Sequence, residues 1–182
     1  MSRIGRLPIT LPDGVKCEVD DNNIVTVTGP RGSLTRKIEL NTISVAVEGN
    51  TVTVTRANDE KETKAAHGLY RALIHNMVVG VKEGFKRTII ANGVGYRIQK
   101  QGNKIVMNVG YSKPKEVAEI DGITLSCTDD NKIIVEGNDK ELVGQMAAKI
   151  KAVRPVEPYH LYGLRYDDEV VIKKVVKKVG KK

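Results

Sequence analysis

The run Arg154-Pro155-Val156-Glu157-Pro158-Tyr159-His160-Leu161-Tyr162-Gly163-Leu164-Arg165-Tyr166 gathers the side chains of this 182-residue chain best suited to grip a polyanion. Arginine carries a rigid planar fork that meets phosphate through two parallel hydrogen bonds. A tyrosine ring can stack on a base, and its hydroxyl can bond a phosphate or a ribose 2′-hydroxyl. Three of the six tyrosines fall here, interleaved with arginines. Two prolines stiffen the run, which is expected to hold a shape without regular structure and to lose little entropy on docking. Arg154, Tyr159, Tyr162, Arg165 and Tyr166 are therefore candidate contacts. The competing reading is that the tyrosines pin the loop onto its own domain. Tyr96 with Arg97, and Tyr111 with Lys113, lie near two further turns and are candidate flanking contacts. Lys173, Lys174, Lys177 and Lys178, in a run that also holds Lys181 and Lys182, complete the set.

Other chemistries find no support. His67 and His75 are eight residues apart and His160 stands alone, with no second ligand at metal-binding spacing and no H-E-x-x-H. Cys17 and Cys127 are far apart and read as buried thiols of a reducing compartment, without the spacing of a zinc site. Gly93-Val94-Gly95-Tyr96 starts like a dinucleotide-binding turn, but position 98 is Ile and no helix is expected to follow. Gly29-Pro30-Arg31-Gly32 lacks the Gly-Lys-Ser/Thr ending of a P-loop and reads as a basic turn. Asp20-Asp21, Asp129-Asp130 and Asp167-Asp168-Glu169 read as solvated turns. No cofactor, metal or small-molecule substrate is expected, and the chain is not expected to be an enzyme. Glu157 with His160 is the one local pair on which an enzyme reading could rest.

The formal charge is +8, distributed as +2 over residues 1–82 and +6 over residues 83–182. A chain this basic meets a polyanion, either nucleic acid or an anionic membrane surface, and the second half is the expected face. Apolar residues make up 40% of the chain and aromatics 4%, so the core must be aliphatic. No apolar stretch of 18 residues occurs, so no membrane span is expected. The first residues show neither a signal-peptide core nor transit-peptide character, and a cytoplasmic location is expected.

The elements that must position these residues are written twice. Ile24–Gly29 aligns with Ile105–Gly110, Ile43–Val47 with Ile123–Cys127, and Asn50–Val54 with Asn131–Val135, at an offset of about 81 residues. A repeat of that length means two copies of one domain. In the first copy, Val15, Cys17 and Val19 alternate with polar residues, as do Val25 and Val27, Ile43, Val45 and Val47, and Val52 and Val54. Period-2 alternation with one polar face predicts antiparallel strands covered on one side. Short connections at Asp20–Asn23, Gly29–Gly32 and Gly49–Asn50 suit hairpins. Helices are predicted from Asp59 to about Val79, capped by Asn58 and ended by Gly80, and from Asp139 to Val153, capped by Asn138 and stopped by Pro155. Their buried stripes are read as Ala65, Leu69, Ala72, Leu73 and Met77, and as Leu142, Met146, Ala147, Ile150 and Val153. Strands first and a helix last give an α+β class: two tandem duplicated domains, each a mainly antiparallel β-sheet packed on one α-helix. The expected boundaries are 1–82, 83–170 and a basic tail 171–182. Val170-Val171-Ile172 is open between strand and helix.

Several motifs together resemble a known family. Ser2-Arg3-Ile4-Gly5-Arg6-Leu7-Pro8-Ile9, Gly29-Pro30-Arg31-Gly32, Gly93-Val94-Gly95-Tyr96-Arg97, Asn108-Val109-Gly110-Tyr111-Ser112 and Arg154-Pro155-Val156-Glu157-Pro158-Tyr159 are similar, in order, to bacterial-type large-subunit ribosomal protein L6. The resemblance implies a structural constituent of the large ribosomal subunit. It implies binding to large-subunit rRNA, chiefly through the second domain and its late loop, near the base of the factor-binding stalk. Neighbouring ribosomal proteins, and translation factors close by, are the further partners it implies. The family typically carries Lys-Gly-Lys-Gly after the Pro-Tyr, where this chain has His160, Leu161, Tyr162 and Gly163, so two cations are lost. A free-standing nucleic-acid-binding module is the rival that composition leaves open.

Overall fold

The computed structural model describes residues 3–129 and 131–175. The chain divides into two compact units: Met1–Phe85 with Asn138–Lys140, and Lys86–Gly137 with Glu141–Lys182.

In the first unit, β1 (Ile9–Thr10), β2 (Lys16–Val19), β3 (Ile24–Gly29), β4 (Gly32–Lys37), β5 (Ile43–Glu48) and β6 (Thr51–Arg56) precede helix α1 (Lys61–Lys82). They form two antiparallel three-stranded sheets, ordered β2-β3-β4 and β1-β6-β5. The alternation read from the sequence sets the inner face: Val25, Val27, Ile43 and Val52 are completely buried. Each such side chain contributes about 1.5–3 kcal/mol relative to exposure. Gly29 pairs with Gly32 across Pro30-Arg31, and Glu48 with Thr51 across Gly49-Asn50, so both turns close hairpins.

Helix α1 departs from expectation at both ends and in its phase. It starts at Lys61, with Glu60 at the cap position; Asn58 Oδ1 accepts from the Glu60 N–H at 3.4 Å, closing a turn that precedes the helix instead of capping it. It runs through Gly80 to Lys82 and ends where the Glu83 and Gly84 N–H groups both donate to the Val79 carbonyl. Its buried face is Ala66, Tyr70, Ile74, Met77, Val78 and Val81, whereas Ala65 is exposed and Leu69 is 55% exposed. The difference is a rotation of one residue. Tyr70 belongs to the core side because its hydroxyl accepts from the Glu39 N–H at 3.1 Å. His67 is buried beside it and donates from Nε2 to the Val54 carbonyl at 2.9 Å, so it is a satisfied core residue.

The second unit repeats the plan. It contains β7 (Phe85–Asn92), β8 (Arg97–Gln101), β9 (Lys104–Asn108), β10 (Lys115–Ala118), β11 (Ile123–Asp129), β12 (Lys132–Gly137), α2 (Lys140–Val153) and β13 (Gly163–Tyr166). Its sheets are ordered β10-β9-β8 and β11-β12-β7-β13. The neighbours β7-β12-β11 match β1-β6-β5 of the first unit, and β8-β9-β10 match β2-β3-β4. The protein is thus a tandem α+β duplication. Helix α2 buries Val143, Met146, Ala147 and Ile150; Leu142 stands 37% exposed and Val143 takes its place in the core.

The second unit adds β13, which pairs antiparallel with β7, Gly163 opposite Asn92 and Tyr166 opposite Ile89. This corrects the expectation that the late run lacks regular structure: its last four residues form an edge strand, and Leu164 there is completely buried. Val170-Val171-Ile172 is neither strand nor helix.

Candidate nucleic-acid interface

Three polypeptide turns and the end of α2 build the site. Tyr96 follows the β7–β8 turn, Tyr111 follows β9, and Arg154 is the residue after the last of α2. Together with Pro155, Glu157, His160 and Tyr162 they line a cleft of about 320 Å³. A neighbouring cleft of about 540 Å³ is lined by Tyr159, His160, Lys173, Lys174 and Val175.

The end of a helix exposes carbonyls that lack intrahelical partners. Here the Tyr111 hydroxyl donates to the Val153 carbonyl at 3.0 Å, and the Leu164 N–H donates to the Arg154 carbonyl at 2.8 Å. Arg154 places its cation at the negative end of the helix, which the helix dipole favours. The guanidinium lies 5.0 Å from the centroid of the Tyr111 ring. The Tyr111 phenol above all, and then Tyr96, raises its pKa above the ordinary arginine value. Lys115 Nζ lies 5.4 Å from the same ring. The glycine at 93 has a local reason: a Cβ there would lie 2.6 Å from the Tyr96 ring. The Gly93-Val94-Gly95-Tyr96 run seats a ring, and strand β8 follows it where a phosphate cradle needs a helix.

The late loop is braced by its own backbone and by one carboxylate. Glu157 N–H donates to the Tyr162 carbonyl at 2.9 Å, and Leu161 N–H to the Glu157 carbonyl at 3.1 Å. Glu157 Oε1 accepts from both the N–H and the Nδ1–H of His160, each at 2.7 Å. The His160 backbone bond, above all, holds the Glu157 carboxyl below the usual range. Asn92 Nδ2 donates to the Leu161 carbonyl at 2.9 Å. Leu161 has φ 65° and Gly163 φ 140°. Leu161 thus holds a left-handed backbone without being glycine.

The candidate residues separate into two groups. Tyr96, Tyr111, Arg154 and Tyr162 converge on one cleft, and Tyr159, Lys173 and Lys174 on the next. Tyr111, Tyr159 and Tyr162 are 40–43% exposed. Arg97 and Lys113 are exposed at the start of β8 and in the loop after β9. Arg165 and Tyr166 face their own domain. Arg165 donates to the Glu169 carbonyl at 3.1 Å. The Tyr166 ring has the Arg87 guanidinium 4.4 Å and Lys151 Nζ 4.6 Å from its centroid. Strand pairing forces this: in β13 these two residues are locked opposite Ile90 and Ile89. Lys177 and Lys178 lie outside the described residues.

Sequence reasoning did not single out Lys115, Arg87 or Lys151, whose partners are distant in sequence. Several other cations of the unit pair with carboxylates, including Lys100 with Glu119 at 2.9 Å, Lys104 with Glu116 at 2.7 Å and Lys151 with Glu169 at 2.6 Å. Arg154 packs against the Tyr111 ring, in a cleft that Tyr96, Tyr162 and Glu157 also line. Among the described residues no group of three or more His, Cys, Asp or Glu could hold a metal ion, and no helix is long and apolar enough to cross a membrane. Cys17 and Cys127 are both free, and burial pushes both thiols up.

A family model described as ribosomal protein L6 matches the chain twice, over residues 11–84 and 92–167. The chain is 51% identical over 174 residues to a protein named large ribosomal subunit protein uL6 from Clostridium perfringens (strain SM101 / Type A), covering 96% of this chain and 97% of that one. It is 50% identical over 182 residues, the whole of both chains, to proteins of the same name from Clostridium kluyveri (strain NBRC 12016) and Clostridium botulinum (strain Alaska E43 / Type E3).

Proposed function

Because this chain belongs to the ribosomal protein L6 family, we propose that it is a structural constituent of the large ribosomal subunit that binds large-subunit rRNA, mainly through its second unit. The family is a structural class, and no catalytic role is assigned to Glu157 or His160, whose short bonds brace the loop. The observation that carries the rRNA assignment is Arg154: a cation over the Tyr111 ring, in a cleft that Tyr96, Tyr111 and Tyr162 also line. An arginine so placed can fork a phosphate through two parallel donors.

The mechanism is charge neutralisation by a prefolded surface. Arg154, Arg97, Lys113, Lys173 and Lys174 supply cations, Tyr96, Tyr111, Tyr159 and Tyr162 supply ring faces and hydroxyls, and the tail with Lys177 and Lys178 extends the basic surface. Phosphate contacts position such a protein on folded RNA without reading sequence. On this reading the contact lies near the base of the factor-binding stalk, beside neighbouring ribosomal proteins and within reach of translation factors, on the ribosome in the cytoplasm.

The test is sedimentation of a tagged full-length copy from lysate, together with filter binding of the purified chain. Comigration with the large subunit through a high-salt wash is the expected result. Binding of large-subunit rRNA that duplex DNA fails to displace at physiological salt is its counterpart in solution. A copy that stays at the top of the gradient, or that DNA displaces freely, overturns the proposal.

A further inference from the structure

His160 and Tyr162 hold their rings as a stacked pair, centroids 5.6 Å apart and planes 16° from parallel, beside the cleft that Arg154 lines. We propose that the exposed face of this pair is a platform for one unstacked nucleobase of a folded RNA, with Arg154 holding a phosphate of the same nucleotide. The proposal rests on the rRNA-binding reading and deepens it: the ligand at this spot is a base, not a phosphate.

Three observations carry it. The first is chemistry. Positions 160 and 162 carry an imidazole and a phenol, stacked on each other. Their flat faces offer a phosphate no donor, but they match the π-face that every base presents. The second is availability. The His160 side chain is 69% exposed and Tyr162 40% exposed, so the pair is not a core contact. The third is preorganisation. The His160 backbone and ring are each held by a 2.7 Å bond to Glu157, the Tyr162 main chain by the bond from Glu157 N–H to its carbonyl, and the Tyr162 ring by its stack on His160. Glu157 is the acidic residue of the cleft, and those bonds turn its acceptor oxygen toward the loop. A base entering the cleft meets rings that need little ordering, which reduces the entropic cost of docking.

The test uses the full-length chain, purified large-subunit rRNA and filter binding over a series of salt concentrations. Tyr162→Ala is expected to weaken binding about 5- to 100-fold, the worth of one base–aromatic stack, while the slope of log affinity against log salt stays unchanged. Tyr162→Phe is expected to bind within about twofold of the parent, since stacking needs the ring and not the hydroxyl. Tyr162→Lys is expected to remain weak. Irradiation at 254 nm should join a nucleotide to Tyr162 or His160 in the parent complex. All variants keep the backbone bonds of the loop, and matching thermal midpoints verify that they fold. An Ala variant within twofold of the parent overturns the platform, as does a Lys variant that restores affinity and steepens the salt slope by about one unit. In both cases the parent still binds rRNA, so the broader reading stands. Failure of the parent chain itself to bind rRNA removes that reading and the platform together.

Discussion

The Arg154 guanidinium is 5.0 Å from the centroid of the Tyr111 ring, and the Tyr111 hydroxyl bonds the carbonyl of Val153, the residue before Arg154, at 3.0 Å. The ring is fixed to the helix end that bears the cation, so charge and platform move as one. Removing the charge and removing the support should then have different signatures. Arg154→Ala is expected to weaken rRNA binding about tenfold or more and to flatten the salt slope by about one unit. Tyr111→Leu keeps the cation and loses about 0.5–1 kcal/mol of cation–π support, so affinity should fall about two- to fivefold with the slope intact. Filter binding across a salt series reads both, and an unchanged slope for Arg154→Ala would contradict a phosphate contact there.

The loop backbone invites a stability measurement. Leu161 sits at φ 65°, in the left-handed region that side chains beyond glycine avoid. Leu161→Gly relieves this strain and Leu161→Ala does not. The Gly variant should therefore be the more stable of the two by about 1 kcal/mol in urea unfolding. At Gly163, φ is 140° and a Cβ would lie 2.6 Å from Val156 Cα. Gly163→Ala should cost about 2–3 kcal/mol. Equal stabilities for the two Leu161 variants would argue against strain at that residue.

Acid should reveal the ion pair behind the loop. Glu169 receives Lys151 Nζ at 2.6 Å on both oxygens and the Tyr166 N–H at 3.1 Å. Lys151 above all, and then the Tyr166 N–H, hold its carboxyl below the ordinary glutamate range. A depressed folded pKa contributes stability above the unfolded value of about 4.3, lost as the pH falls through the folded value. Glu169→Gln should lower the unfolding free energy by about 1 kcal/mol at neutral pH, discounted for its partial exposure, with the gap closing in the acid range. Urea midpoints from neutral pH down to about 3 test this, and a gap that stays constant would show that the charge of Glu169 plays no part.

Local periodicity and turn chemistry made the duplication, the strand alternation and the hairpins legible in the sequence. Val25 and Val27 could face only one way once their neighbours were polar. The helix phase was less legible because Ala65, Ala66, Leu69 and Leu73 fit two adjacent stripes equally well. Tertiary bonds decided between them: Tyr70 bonding Glu39 and His67 bonding Val54 turned the helix by one residue. Strand β13 was hidden for a similar reason. It contributes one fully buried side chain, Leu164, and exists because β7 offers it an edge more than 70 residues away in sequence. The fate of Arg165 and Tyr166 follows from that pairing and not from their residue types. Arg154, Tyr96 and Tyr111 were legible as separate candidates, but their convergence depends on where α2 stops.

The Leu164 N–H bonds the Arg154 carbonyl, and Glu157 and Tyr162 clasp within that closure, so main-chain groups do most of the work of drawing the outline of the late loop. The ring of Tyr162 is a fitting mounted on that frame, and the ring of His160 is tied to it by its bond to Glu157. On such a mount the grip can be changed at position 162 without redrawing the main-chain path.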